Sequence, residues 1–196
     1  MAYGLNKASV YFITLLILSL QSSAQELPKA KRSSLGLYLT AQDAYELKRD
    51  EDRVLFIDIR SLAEINFLGM PTVADAHIEY QRLDANSRFD PKRANFTLSP
   101  NHSFVDEVKV LVNQRGLSES AKLILMCRSG SRSAQAANEL AQFGFTQVYS
   151  ITDGYEGDKV RIGPSAGQRI LNGWKNSGLP WSYKLELSKL QNLPQE

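Results

Sequence analysis

The sequence predicts an α/β domain with a central, mainly parallel sheet flanked by helices, and three observations carry that prediction. Leu123 to Met126 is a continuous apolar run, the composition of a strand buried on both faces. Ala134, Ala136, Ala137, Leu140 and Phe143 then recur at helical spacing, with Gly144 as a C-terminal stop. Two more short apolar strands, Val54 to Ile59 and Gln147 to Ile151, alternate with helical segments along the same chain.

The elements follow in order. The first two dozen residues are apolar but short: Lys7 gives a positive start, Val10 to Leu20 an apolar stretch, and Ser22-Ser23-Ala24 a small-residue cleavage site. A membrane-spanning helix needs about 20 apolar residues, so residues 1–24 are expected to be a signal peptide that is removed. The expected product is exported, periplasmic, and without stable membrane insertion after cleavage. Residues 25–36, with Pro28, Lys29, Lys31 and Arg32, suggest a flexible leader. One domain is expected over residues 37–183, and the charged stretch 184–196 reads as an exposed C-terminal tail. Thr40 and Asp43 resemble the cap and first turn of a helix that runs to about Arg49. Residues 84–102 are polar, contain Pro91 and Pro100, and predict a long loop. Ser103 precedes a helix with Phe104, Val108, Leu111 and Val112 at the right period, ending at Gly116. Asp153 to Gly157 is expected as a turn, residues 158–168 as an insertion, and about 168–177 as a last helix.

The formal net charge of the 196 residues is only +2, which gives no basis for binding nucleic acid or a membrane surface. Roughly 170 residues remain after the signal segment, enough for one sizeable core. The single cysteine, Cys127, cannot form an internal disulfide, so in an exported chain it is a reactive thiol or an intermolecular partner. The only histidines, His77 and His102, show no metal spacing with another ligand, and neither a metal nor a cofactor is expected.

Cys127 falls where its strand should end, and Arg128, Ser129, Gly130, Ser131, Arg132 and Ser133 lead into the helix. Successive amides, the positive end of the helix dipole and two guanidinium groups all favour an anion there. A cysteine in that field is expected to ionise readily to a nucleophilic thiolate. An inert cysteine at a buried strand end would have no use for so many anion-binding groups. Sites in parallel sheets lie beyond the carboxyl ends of the strands, which puts Asp58 and Arg60 on the same side as Cys127. Arg60 and Glu64, four residues apart, are placed either to pair with each other or to reach the site, and a structural ion pair is the favoured reading. Trp174 and Trp181 are expected to pack at the C-terminal closure.

The loop Cys127 to Ser133, CRSGSRS, resembles the active-site loop of rhodanese-type sulfurtransferases. Asp58-Ile59-Arg60 with Glu64, Asp153-Gly154 with Gly157, and Gly173-Trp174 with Gly178-Leu179-Pro180-Trp181 are similar to other segments of that family. Gly69-Met70-Pro71 departs from it by lacking a histidine, and the stretches 84–102 and 158–168 are longer than in a minimal member. The resemblance implies a rhodanese-like three-layer domain. It implies that Cys127 takes a sulfane sulfur from a small anionic donor such as thiosulfate and passes it, as a persulfide, to cyanide, a thiol or a protein acceptor. Arg128 and Arg132 would attract the donor, Gly130 would allow the loop to curve, and Ser129, Ser131 and Ser133 would donate hydrogen bonds or cap the helix, with Asp58 and Arg60 in support.

Two other functions share these features. One is a non-catalytic sulfur carrier or binding module that acts only with a partner. The other is a cysteine-dependent phosphatase, whose loop has five residues between cysteine and arginine; here there are four, a smaller ring that suits sulfur better than phosphate.

Overall fold

The computed structural model describes residues 26–191, so the expected signal segment and its cleavage site lie outside the described residues. Five parallel strands form the central sheet: β1 (Tyr38–Leu39), β2 (Val54–Asp58), β4 (Ala76–His77), β9 (Lys122–Met126) and β10 (Val148–Ile151), in the order β1-β10-β9-β2-β4. The longest pairing sets Val54 to Asp58 beside Lys122 to Met126, so β2 and β9 end together.

Side chains alternate across each strand and so feed two cores. Leu55, Ile57, Leu123, Leu125 and Val148 face α3 (Phe104–Gln114) and α4 (Ser131–Gln142). Val54, Phe56, Ile124, Met126 and Ile151 face α1 (Ala41–Asp50) and α2 (Leu62–Leu68), with Trp174 buried among them. The result is the expected three-layer α/β arrangement. Thr40 and Ser61 each open their helix with a capping box, receiving the amide three residues on while Asp43 or Glu64 reaches back.

Several segments differ from expectation. The stretch 84–102 is a set of ribbons: β5 (Gln81–Arg82) pairs antiparallel with β8 (Ser99–Pro100), and β6 (Phe89–Asp90) with β7 (Asn95–Phe96). No helix forms at 168–177; the chain makes consecutive turns, with Gly167, Gly173 and Gly178 all at positive φ, a conformation that breaks helical continuity. A short antiparallel pair, β3 (Met70–Pro71) with β11 (Trp181–Ser182), closes this region. The leader is anchored at Lys31, whose ammonium donates to the Thr152 carbonyl at 2.8 Å and pairs with Asp158 at 2.6 Å. The first part of the expected exposed tail also packs: Leu185 and Leu190 join the second core, and the Gln191 amide donates to the His77 carbonyl.

Candidate active site at the head of strand β9

β9 ends at Met126 and α4 starts at Ser131, so Cys127 to Gly130 bridge the strand to the helix, whose first turn begins two residues earlier than Ser133. Gly130 is the N-cap residue at φ +95°, and a Cβ there would collide with the Thr152 backbone. Only glycine accepts that position without strain. The Gly130 amide donates to Cys127 Sγ at 3.2 Å.

The loop is held from behind. Tyr155 and Glu156 donate their amides to the carbonyls of Cys127 and Arg128 at 2.9 and 3.0 Å. Gly154 permits this approach, since a Cβ would stand 2.5 Å from the Cys127 carbonyl oxygen. Among the described residues, the Arg128 and Ser129 amides donate to no backbone carbonyl, and the first-turn amides of α4 have no intrahelical acceptor. Those amides and the positive, N-terminal end of α4 lie next to Cys127, an arrangement that favours negative charge.

Cys127 is only 1% exposed, and its sulfur lies 3.6 Å from the Ser133 hydroxyl. That hydroxyl is itself buried, 2.8 Å from the Ser150 hydroxyl on β10 and within reach of the Gly130 carbonyl. Ser133 thus belongs to a buried hydroxyl relay rather than a helix cap, and Ser150 is a member that local sequence reasoning missed.

The two loop arginines are both paired. Arg132 donates to both Glu64 oxygens at 2.6 and 2.7 Å. Arg128 donates through Nε to Glu156. Burial opposes the charged form of Glu64, but the hydrogen bonds and charge of Arg132 prevail and hold its carboxyl at about 2. The expected Arg60–Glu64 pair is therefore corrected: Glu64 reaches the loop, and Arg60 turns instead to Asp58 at 2.5 Å and to the Gly69 carbonyl at 2.8 Å. The S-x-x-E pattern at Ser61–Glu64 signals the cap, but Glu64 accepts from Arg132 as well, so the choice of Arg132 over Arg60 is set by the tertiary fold.

Asp58 and Arg60 are fully buried at the end of β2 and make no hydrogen bond to the loop. The Arg60 guanidinium lies 3.7 Å from the centre of the Tyr155 ring, and the Tyr155 amide is the one that holds the Cys127 carbonyl. Their support is mechanical, through Tyr155. His77 is buried, with Nε2 2.7 Å from the Arg60 carbonyl, and Trp174 is buried while Trp181 is partly exposed. Ser129 and Ser131 face the mouth, lining two cavities on either side of the loop.

A five-stranded parallel sheet, flanked by helices on both faces and carrying a cysteine between strand end and helix N-terminus, defines a class of three-layer α/β domains with a cysteine loop. The family model for the rhodanese-like domain matches residues 40–159, and the chain belongs to that family. It is 26% identical over 140 residues to the uncharacterized protein RP600 homolog of Rickettsia rickettsii, covering 71% of this chain and 92% of that one. Uncharacterized protein RC0915 of Rickettsia conorii is 27% identical over the same shares. Among solved structures, Rv0390 from M. tuberculosis is 27% identical with a TM-score of 0.55, covering 75% of this chain and 97% of that one.

Proposed function

We propose that the chain is a sulfurtransferase that moves a sulfane sulfur from an anionic donor such as thiosulfate to a thiophilic acceptor through a persulfide on Cys127. The observation that carries this reading is the Gly130 amide on Cys127 Sγ, in a loop at the N-terminus of α4 whose Arg128 and Ser129 amides donate to no backbone carbonyl among the described residues. In the first half-reaction the Cys127 thiolate uses an electron pair to form a bond to the outer sulfur of thiosulfate. The bond between the two donor sulfurs breaks, and its pair leaves with sulfite. The terminal sulfur of the persulfide keeps a negative charge, which preorganised amides stabilise without reorganisation. In the second, cyanide bonds to that terminal sulfur, thiocyanate leaves, and the thiolate returns. No proton need move in either half-reaction.

A carrier role with a bulky acceptor is favoured by one feature. A groove of about 1010 Å³ lies over the loop, lined by Arg128, Ser131 and Arg132 together with the exposed rings of Phe67 and Phe96, and is far larger than thiosulfate needs. Export of the mature chain, read from residues 1–24, belongs to the same proposal. The test is thiocyanate formation from thiosulfate and cyanide: steady turnover that disappears in Cys127→Ser supports the transferase, and a rate that appears only with a partner protein favours the carrier.

A further inference from the structure

The two arginines that the sequence offers as donor attractors both have carboxylate partners, so the surplus positive charge over Cys127 must come from elsewhere. Beyond Gly157 the chain makes a tight excursion that returns on itself: Lys159 and Arg169 form an antiparallel bridge, the Val160 amide donates to the Gln168 carbonyl, and the Gly167 amide to the Val160 carbonyl. Its base thus sets two cations side by side. Lys159 and Arg169 line both cavities beside the loop, the one with Ser129 and the one with Ser131 and Arg132. Among the described residues neither takes part in an ion pair.

Arg169 is the better placed of the two. One of its terminal nitrogens donates to the Gly157 carbonyl, which fixes the guanidinium without cancelling its charge. Its Nε is buried and has no hydrogen-bond partner. A buried guanidinium donor without an acceptor is costly unless a ligand satisfies it. Burial and the neighbouring Arg128 charge push the Arg169 guanidinium down from its ordinary value, while Glu156, Asp158 and Cys127 push it back up, so it shares the electrostatic field of the reactive sulfur. The family match ends at residue 159, so Arg169 lies beyond the part of the chain that the family model matches.

We infer that Arg169, assisted by Lys159, is the anion-recruiting residue of this site, binding the charged sulfonate end of a dianionic sulfur donor while the loop arginines serve to hold the cradle in shape. This rests on the sulfurtransferase reading for the identity of the donor, but the recruitment itself is a binding event that can be measured without transfer. The arrangement divides the labour by charge: Arg132 and Arg128 spend theirs on Glu64 and Glu156, and the hairpin pair supplies the field that a dianion meets.

The test is calorimetric titration of thiosulfate into the full chain carrying Cys127→Ser, which permits binding and forbids transfer. Arg169→Gln in that background is expected to raise Kd about tenfold, the loss of one charge-assisted hydrogen bond, with Arg169→Lys recovering most of it. Lys159→Gln is expected to weaken binding less and to reduce its salt dependence. Thermal melting of each variant establishes that the fold is kept. Unchanged affinity in both Gln variants, or no thiosulfate binding by the Cys127→Ser parent, overturns the inference. Sulfur gain by the wild-type chain, followed separately by intact mass, distinguishes the two failures: binding through Arg169 without sulfur gain sinks the transferase reading alone, and sulfur gain with unaltered Gln variants sinks only the role of Arg169.

Discussion

Glu64 and Arg132, 68 residues apart in the chain, meet in a two-bonded ion pair at 2.6 and 2.7 Å that ties the first turn of α2 to the first turn of α4. The pair is mostly buried and holds the Glu64 carboxyl at about 2, against an ordinary 4.5. A depressed carboxyl stabilises the fold at any pH above its unfolded value, and that contribution disappears as pH falls through the folded value. Denaturant titrations of the wild type should therefore show roughly 3 kcal/mol lost between about pH 5 and 2 from this group. Glu64→Gln should be less stable by about 3 kcal/mol at neutral pH and should lack that component of the acid limb. Parallel curves for the two proteins would refute the assignment.

The Asp58–Arg60 pair is fully buried, so removing one partner strands the other without water. Arg60→Leu is expected to cost about 3 to 5 kcal/mol, measured by chemical denaturation. Asp58→Asn combined with Arg60→Leu should cost much less than the sum of the single changes, because no lone charge remains. Simple additivity would mean that the pair is not coupled as the geometry requires.

Gly130→Ala forces a Cβ into the Thr152 backbone from a left-handed conformation. The expected loss is about 2 kcal/mol or more in unfolding free energy, together with slower sulfur uptake as the amide on Cys127 shifts. Gly163, also at positive φ but with open space around it, serves as the control: Gly163→Ala should carry only the conformational cost and leave uptake intact. Equal effects at both positions would remove the special role of Gly130.

Ser133→Ala removes the hydroxyl beside Cys127 Sγ and leaves Ser150 without that partner. Stability should fall by about 1 kcal/mol, while the rate of sulfur loading from thiosulfate should fall roughly tenfold, since the hydroxyl that accepts from the Cys127 thiol is lost, and with it the only side-chain O–H among the described residues placed to turn toward the sulfur once it ionises. Ser150→Ala should lower stability similarly with a smaller effect on rate. A loading rate unchanged in Ser133→Ala would show that the amides alone hold the sulfur.

What could be read in advance was local. The strand–loop–helix passage through Cys127 follows from periodicity over some twenty residues, and Thr40 caps its helix as expected, whereas Ser103 stands at the start of its helix without a side-chain cap bond. The partners that shape the site were not legible, because Arg132 meets Glu64 and Arg128 meets Glu156 only through the tertiary fold. Trp174 and Leu171 sit at helical spacing near the end of the domain, yet Gly173 is held at φ +96° with its amide on Asp153, which no propensity reveals. Lys31 looked like part of a solvated leader because its partners, Thr152 and Asp158, lie more than 120 residues away. The ribbons over 81–100 were hidden for the opposite reason: each strand is two residues long, too short for alternation to register.

The most direct test of the whole account is intact-mass analysis of the full chain before and after thiosulfate, and again after cyanide. The wild type should gain one sulfur atom on Cys127 and lose it as thiocyanate, and Cys127→Ser should gain none. A wild-type chain with a free Cys127 thiol that takes up no sulfur, or a Cys127→Ser chain that takes up the same sulfur, would contradict persulfide chemistry at this site.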